Sequence, residues 1–239
     1  MEKLTMAQIE ELEQFDAPTV CNAIEIFKVR PFNKGFMDFG IERRIAYDKP
    51  LVGYAATCKI SAISPATAAN QAAIWEYYES VKQMEKPTVS VIQDMDPRPI
   101  GSFWGDVQSS IHLGLGCRGV ITSGGVRDLG EVEELGFQFF SACVLASHAY
   151  AHVEEYDCPV AVGGLIINPG DLLFADNHGI TTIPHEIAPR IAEACRLWAQ
   201  AEKHITEYCH ELTRKGQLID VSVLKEKRRL CSEMLQTFI

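Results

Sequence analysis

The chain has 239 residues, 47% apolar and 23% charged, with a formal net charge of -10 and a mean hydropathy of -0.01. That length carries one large domain or two small ones. The acidic balance argues against a nucleic-acid or anionic-membrane surface, and no apolar run reaches the length of a bilayer span. The polar start MEKLTMAQIEELEQFD lacks the pattern of a signal peptide, and the eight cysteines form no CxxC pair. Cysteines in settings such as FFSACVLA read as small core residues, so the expectation is a cytoplasmic globular protein.

Ile9, Leu12, Val20, Ala23, Ile24 and Phe27 give residues 5–28 a helical spacing, interrupted near Pro18. Asp16 is placed to cap the second helix, with Pro18 in its first turn. Residues 30–50 show no clear period. Residues 51–60 read as a strand, 67–84 as a helix and 87–93 as a short buried strand. A helix is predicted over 103–115, a buried strand over 119–122, a short helix over 128–135 and a strand over 138–142. From 158 to 184, short apolar segments punctuated by GG, NPGD and NHG suggest three or four strands. A long amphipathic helix over 185–214 and a basic one over 221–234 follow. Alternating strands and helices, then consecutive strands and a helical tail, predict an α/β fold.

The stretch SGGVRDLG (123–130) sets a cation beside an anion after the apolar run Gly119-Val120-Ile121-Thr122. Neighbours on a strand point to opposite faces, so Arg127 and Asp128 share a site only if the glycines have already turned the chain. Two readings stay open. Asp128 and Glu131 have capping-box spacing, which would make Asp128 an N-cap and leave Arg127 on the surface. Alternatively, a glycine turn at a helix N-terminus favours an anion, Arg127 adds a fork for a carboxylate or enolate oxygen, and Asp128 adds a hard ligand for Mg²⁺.

Gly105-Asp106, Gly119-Val120-Ile121 and Gly124-Gly125-Val126-Arg127-Asp128 together resemble the signature of the RraA-like family. The likeness continues through Val160, Gly163-Gly164, Pro169-Gly170-Asp171, Ala175-Asp176 and Gly179-Ile180 to Ile183-Pro184, and upstream through Asp16, Gly53, Ala55, Thr57 and Asn70. That family includes class II pyruvate aldolases acting on 4-hydroxy-4-methyl-2-oxoglutarate and 4-carboxy-4-hydroxy-2-oxoadipate. The resemblance implies a single RraA-like domain over 16–217, with mixed β-sheets sandwiched by helices and a helical C-terminal tail. Residues 1–15 and 218–239 would be helical extensions.

The same resemblance implies roles. Asp128 would ligate Mg²⁺ or Mn²⁺, and Arg127 would contact the keto or enolate oxygen of a pyruvyl moiety. Asp106 would hold a water as proton carrier. Gly105 and the amides of Val107 and Gln108 would bind the substrate carboxylate, with Asn70 nearby. Glu207, or else Glu202, would reach the site of a neighbouring subunit in a homotrimer or homohexamer. The implied activity is metal-dependent cleavage of a 2-oxo acid to pyruvate, including oxaloacetate decarboxylation, with no membrane or nucleic-acid partner. The alternative is a non-catalytic RraA-type regulator that binds RNase E; in such regulators the aspartate after the arginine is replaced.

Three stretches depart from the family pattern: Ser123-Gly124 where Asp-Gly is usual, Asp176-Asn177-His178-Gly179, and the bulky segment 76–87. Other chemistry is conceivable from the residues. His148 and His152 have a zinc-like i, i+4 spacing without a third ligand, and Lys59 could form a Schiff base. Trp75, Tyr77 and Tyr78 read as packing, Asp171 and Asp176 as turn residues, and Lys225–Arg229 as a solvated helix face. His178 could either contact substrate or fill a loop. No G-x-G-x-x-G loop supports a nucleotide fold.

Overall fold

Residues 3–238 are described by the computed structural model, and they divide into two units, one of residues 35–184 and one in which 3–34 join 185–238. In chain order, helices α1 (Met6–Leu12) and α2 (Ala17–Phe27) precede β1 (Glu42–Arg43), β2 (Leu51–Ser61), α3 (Ala68–Gln83) and β3 (Thr88–Asp94). Next come β4 (Ser102–Trp104), α4 (Asp106–Gly114), β5 (Cys117–Val126), α5 (Leu129–Leu135) and β6 (Gln138–Val144). Strands β7 (His152–Tyr156), β8 (Val160–Val162), β9 (Leu165–Ile167), β10 (Leu172–Asp176) and β11 (Gly179–Ile183) follow, then α6 (Ile191–Arg214) and α7 (Val221–Gln236).

The larger unit holds a mixed sheet ordered β1-β6-β5-β3-β2-β10-β11, with β4 paired to β5 and β7 to β2. Its centre is parallel, β2 with β3, β3 with β5 and β5 with β6, while β1, β7, β10 and β11 join antiparallel. Parallel strands covered on both faces read as continuous apolar runs, and alternation sorts their side chains into two cores. Val120 and Phe139 join Tyr77 and Val81 of α3 and Val132 of α5 on one face. Ile121 and Phe140, their immediate neighbours, join Val160, Val162 and Ile167 of the β8–β9 hairpin, with Met37 and Ile41, on the other.

The smaller unit packs α1, α2 and α6 through Ile9, Leu12, Val20, Ile24, Ile191 and Cys195, all buried. Asp16 caps α2 by accepting the Thr19 N–H at 2.9 Å, with Pro18 in the first turn, as the spacing predicts. None of the described residues of α7 is buried, and Arg229 pairs there with Glu226 and Glu233, so the basic run is a solvated face. No described helix is long and apolar enough to cross a membrane.

Several expectations change. The helix predicted over 103–115 is strand β4 followed by α4, because the apolar Phe103 and Trp104 add to the sheet before the helix begins at Asp106. The polar segment around HVEEY is strand β7, paired to β2 and half covered by α3. The strand read over 119–122 runs from Cys117 to Val126, so the glycines at 124 and 125 lie within it. They are small for clearance: a Cβ on Gly124 would stand 2.9 Å from Asp94 Oδ2, and one on Gly125 would stand 2.6 Å from Leu145 Cδ1.

This close approach gives a stability test. Gly125→Ala is expected to cost about 2 kcal/mol by overpacking, and adding Leu145→Ala should recover part of that loss, since the two side chains compete for one space. Urea unfolding of both variants and of Leu145→Ala alone measures the coupling.

Candidate active site

The chain turns three residues after Gly125, at Asp128. This residue is left-handed (φ 57°, ψ 43°) and stands at the N-cap position of α5, yet its side chain makes no capping bond there. Only its carbonyl serves α5, accepting the Val132 N–H at 3.0 Å. The carboxylate points to another helix: Oδ2 accepts the N–H of Asp106, the first residue of α4, at 3.0 Å. The same oxygen lies 3.5 Å from Nε of Arg127. The capping-box alternative is thereby excluded, and the arginine and aspartate face one site despite adjacent positions. Each keeps about a third of its side chain exposed (34% for both).

Gly105 makes the convergence possible. A Cβ there would stand 2.3 Å from Asp128 Oδ2 and 3.0 Å from Arg127 Cγ, while its extended backbone places no demand of its own. The first turn of α4 then supplies donors. Asp106 N–H goes to Asp128 and Ser109 N–H to the Gly105 carbonyl, leaving Val107 and Gln108 N–H without partners among the described residues. Two free amides at a positive helix end, with a guanidinium beside them, suit a carboxylate. Among the described residues the Asp106 carboxylate accepts only Ser110 Oγ–H, at 3.3 Å, and so can hold a water.

The donor set fits one kind of metal. No group of three or more His, Cys, Asp or Glu is placed to hold an ion among the described residues. Asp128 Oδ1, without a partner among them, is a single hard ligand, and Asp106 lies beside it. One or two carboxylates with several waters is the coordination Mg²⁺ accepts, whereas a zinc site would need more protein ligands.

Asn70 spends its side chain in a reciprocal cap with Thr67 and in a 2.9 Å bond to the Val153 carbonyl. Glu202 accepts the Trp198 indole N–H on α6, and Glu207 is exposed on the same helix of the smaller unit. His152 bonds the Tyr150 carbonyl and Glu154 from β7, so the zinc spacing with His148 was not a helical face. Lys59 pairs with Glu155 at 2.6 Å, and that hydrogen bond raises its pKa, the wrong direction for a Schiff-base amine. Trp75 is exposed, Tyr77 is fully buried and Tyr78 partly so. Asp171 holds the Asn168 N–H, and Asp176 holds that of His178, as turn residues do. His178 sits at the β10–β11 turn beside the start of β2, at the opposite end of the sheet from Arg127.

Sequence reasoning missed a buried layer below α4. His112 is fully buried, its Nδ1 2.7 Å from the Gln108 carbonyl, and burial lowers its pKa to about 4. Tyr78 donates to Gln108 Oε1 at 2.9 Å. Asp94, at the end of β3, has a buried Oδ2 without a partner among the described residues, and burial raises its pKa. The i, i+4 spacing of Gln108 and His112 was the available signal.

Comparison with known proteins identifies the family. The family described as RraA-like: Aldolase/RraA matches residues 17–182. The chain belongs to the RraA-like family. A relative named putative 4-hydroxy-4-methyl-2-oxoglutarate aldolase, from Halalkalibacterium halodurans, is 31% identical over 81 residues, 34% of this chain and 39% of that one. Protein DlpA of Legionella pneumophila is 28% identical over 128 residues, 46% of this chain and 20% of that one. The matches thus span well under half the length of these two relatives. The fold is also that of Streptomyces coelicolor RraAS2, described as an unusual member of the RNase ES inhibitor RraA family. The TM-score is 0.66 at 22% identity, covering 85% of this chain and 97% of that one.

The buried His112 predicts a pH dependence. With a folded pKa near 4 and an unfolded one near 6.5, the unfolded chain binds the extra proton, so stability is full above the unfolded value and falls as pH drops toward 4. The loss approaches roughly 3 kcal/mol. Urea midpoints at pH 7 and pH 5 should differ more for the wild type than for His112→Phe.

Proposed function

We propose that the protein is a divalent-metal-dependent lyase that cleaves a 2-oxo acid to pyruvate through an enolate, in the manner of 4-hydroxy-4-methyl-2-oxoglutarate aldolase, and that it also decarboxylates oxaloacetate. The observation that carries this reading is the Asp128 carboxylate, turned from its own helix to the start of α4 with Arg127 alongside. The aldolase name of one relative and the family's aldolase branch support it.

The chain's residues divide the work. The amides of Val107 and Gln108 take the substrate carboxylate and fix the three-carbon unit. Arg127 holds the keto oxygen, where negative charge accumulates as the C3–C4 bond breaks, so its guanidinium binds the enolate more strongly than the substrate. Asp128 holds Mg²⁺ or Mn²⁺, which supplies Lewis-acid stabilisation of the same charge when bound. Asp106 holds the water that takes the proton from the C4 hydroxyl. Loss of CO₂ from oxaloacetate yields the same enolate without that proton transfer, so it depends less on Asp106. Subunits assemble as trimers or dimers of trimers, with Glu207 or Glu202 of one chain completing the site of the next. The other family activity, binding an RNase as an RraA regulator, needs no metal ligand; the retained Asp128 favours the enzyme.

Pyruvate release from oxaloacetate and from 4-hydroxy-4-methyl-2-oxoglutarate, with and without Mg²⁺, tests the reading. Arg127→Ala and Asp128→Ala should each lose on the order of 10²–10³-fold in kcat. Gly105→Ala should lose activity, and His152→Ala should retain it. Wild-type activity that survives EDTA removes the metal from the mechanism.

A further inference from the structure

His112 stands on α4 one turn beyond Gln108, and its Nδ1 lies 2.7 Å from the Gln108 carbonyl. A carbonyl can only accept, so Nδ1 carries the proton and Nε2 keeps its lone pair. That Nε2 and the indole Nε1 of Trp104 are both buried without partners among the described residues, and the two rings are 4.4 Å apart. An imidazolium would add a second unmatched N–H to a space that already holds one, so the ring is held neutral. Tyr77 and Tyr78 brace it, each with its ring centroid 5.5 Å away.

Two connections run from this ring to the site. Gln108, whose carbonyl His112 holds, also carries one of the two free amides, and Tyr78 anchors its side chain. Trp104 precedes Gly105, and its carbonyl accepts the Arg127 N–H at 3.0 Å and the Ser102 hydroxyl at 2.9 Å. The first turn of α4 and the backbone of Arg127 therefore both rest on residues that His112 touches.

We propose that His112 is a positioning residue: its Nδ1–H fixes the Gln108 carbonyl, and so aims the Val107 and Gln108 amides at the substrate carboxylate. The substrate part of this proposal rests on the lyase reading above; the aiming of the amides does not. A donor role and a packing role predict opposite orders for two variants. His112→Asn keeps a donor near the place of Nδ1 and loses the ring, whereas His112→Phe keeps the ring and loses the donor.

Pyruvate release should show KM raised about tenfold in His112→Phe with kcat little changed, because carboxylate binding is lost equally from substrate and transition state. His112→Asn should stay within about threefold of wild type. The reverse order overturns the proposal. Nitrogen NMR of the full chain with labelled histidine reads the tautomer without any turnover. A protonated Nδ1 and bare Nε2 at pH 7 support it, and the opposite tautomer overturns it even if a variant fails to fold. The Val107 and Gln108 amide resonances should move in His112→Phe and hold in His112→Asn. A wild type that releases no pyruvate defeats the lyase reading alone, and the amide resonances then decide the role of His112.

Discussion

The site depends on one hydrogen bond, from the backbone N–H of Asp106 to the carboxylate of Asp128. A charged acceptor on a helix N-terminal amide is a strong bond, and the positive end of α4 adds to it. It offsets the left-handed backbone at Asp128, which costs a non-glycine residue roughly 1–2 kcal/mol. The same carboxylate oxygen meets Arg127, so one atom organises a helix start, a cation and the exit from a core strand. Gly105 is the geometric condition: any side chain there would occupy the place of the carboxylate.

Around this bond the charges are arranged by burial. Below lies an apolar and aromatic layer, with Trp104 stacked on Phe137 at 5.5 Å and Tyr77 within reach of His112. Above it, Arg127, Asp128 and Asp106 stay partly open to solvent, so the site avoids a heavy desolvation cost. The site stands at the carboxyl ends of the parallel strands, where α/β sheets open toward ligands. Rigid strands on one side and a capped helix on the other limit its freedom to rearrange, as the proposed enolate chemistry would require of fixed donors.

Metal, arginine and amides would act on one small region of negative charge. A 2-oxo acid presents two such regions, a carboxylate and a keto oxygen, on adjacent carbons. The free amides suit the first and the guanidinium the second. The acidic side chain of Asp106 is the nearby group able to carry a proton through water. Nothing in this set would read the distal half of such an acid.

Much was legible from residues alone. Local rules, which act over a few positions, gave the Asp16 cap, the α3 and α6 helices and three or four strands over 158–184, where the structure has four. The resemblance to the RraA-like family implied Arg127, Asp128, Asp106 and the α4 amides as one candidate site. The sequence also offered two fates for Asp128, and spacing to Glu131 could not separate them. Only the tertiary structure did, because α4 and α5 are distant in sequence and meet through the sheet. Strand β7 was hidden for a like reason: its polar residues are tolerated on an antiparallel strand with one open face. The layer of His112, Trp104 and Tyr78 joins three elements, and no local pattern reports such a meeting. Chemistry-bearing residue types were thus fixed by the amino-acid order, while the direction of the Asp128 carboxylate was fixed by long-range packing that brings a second helix end to it.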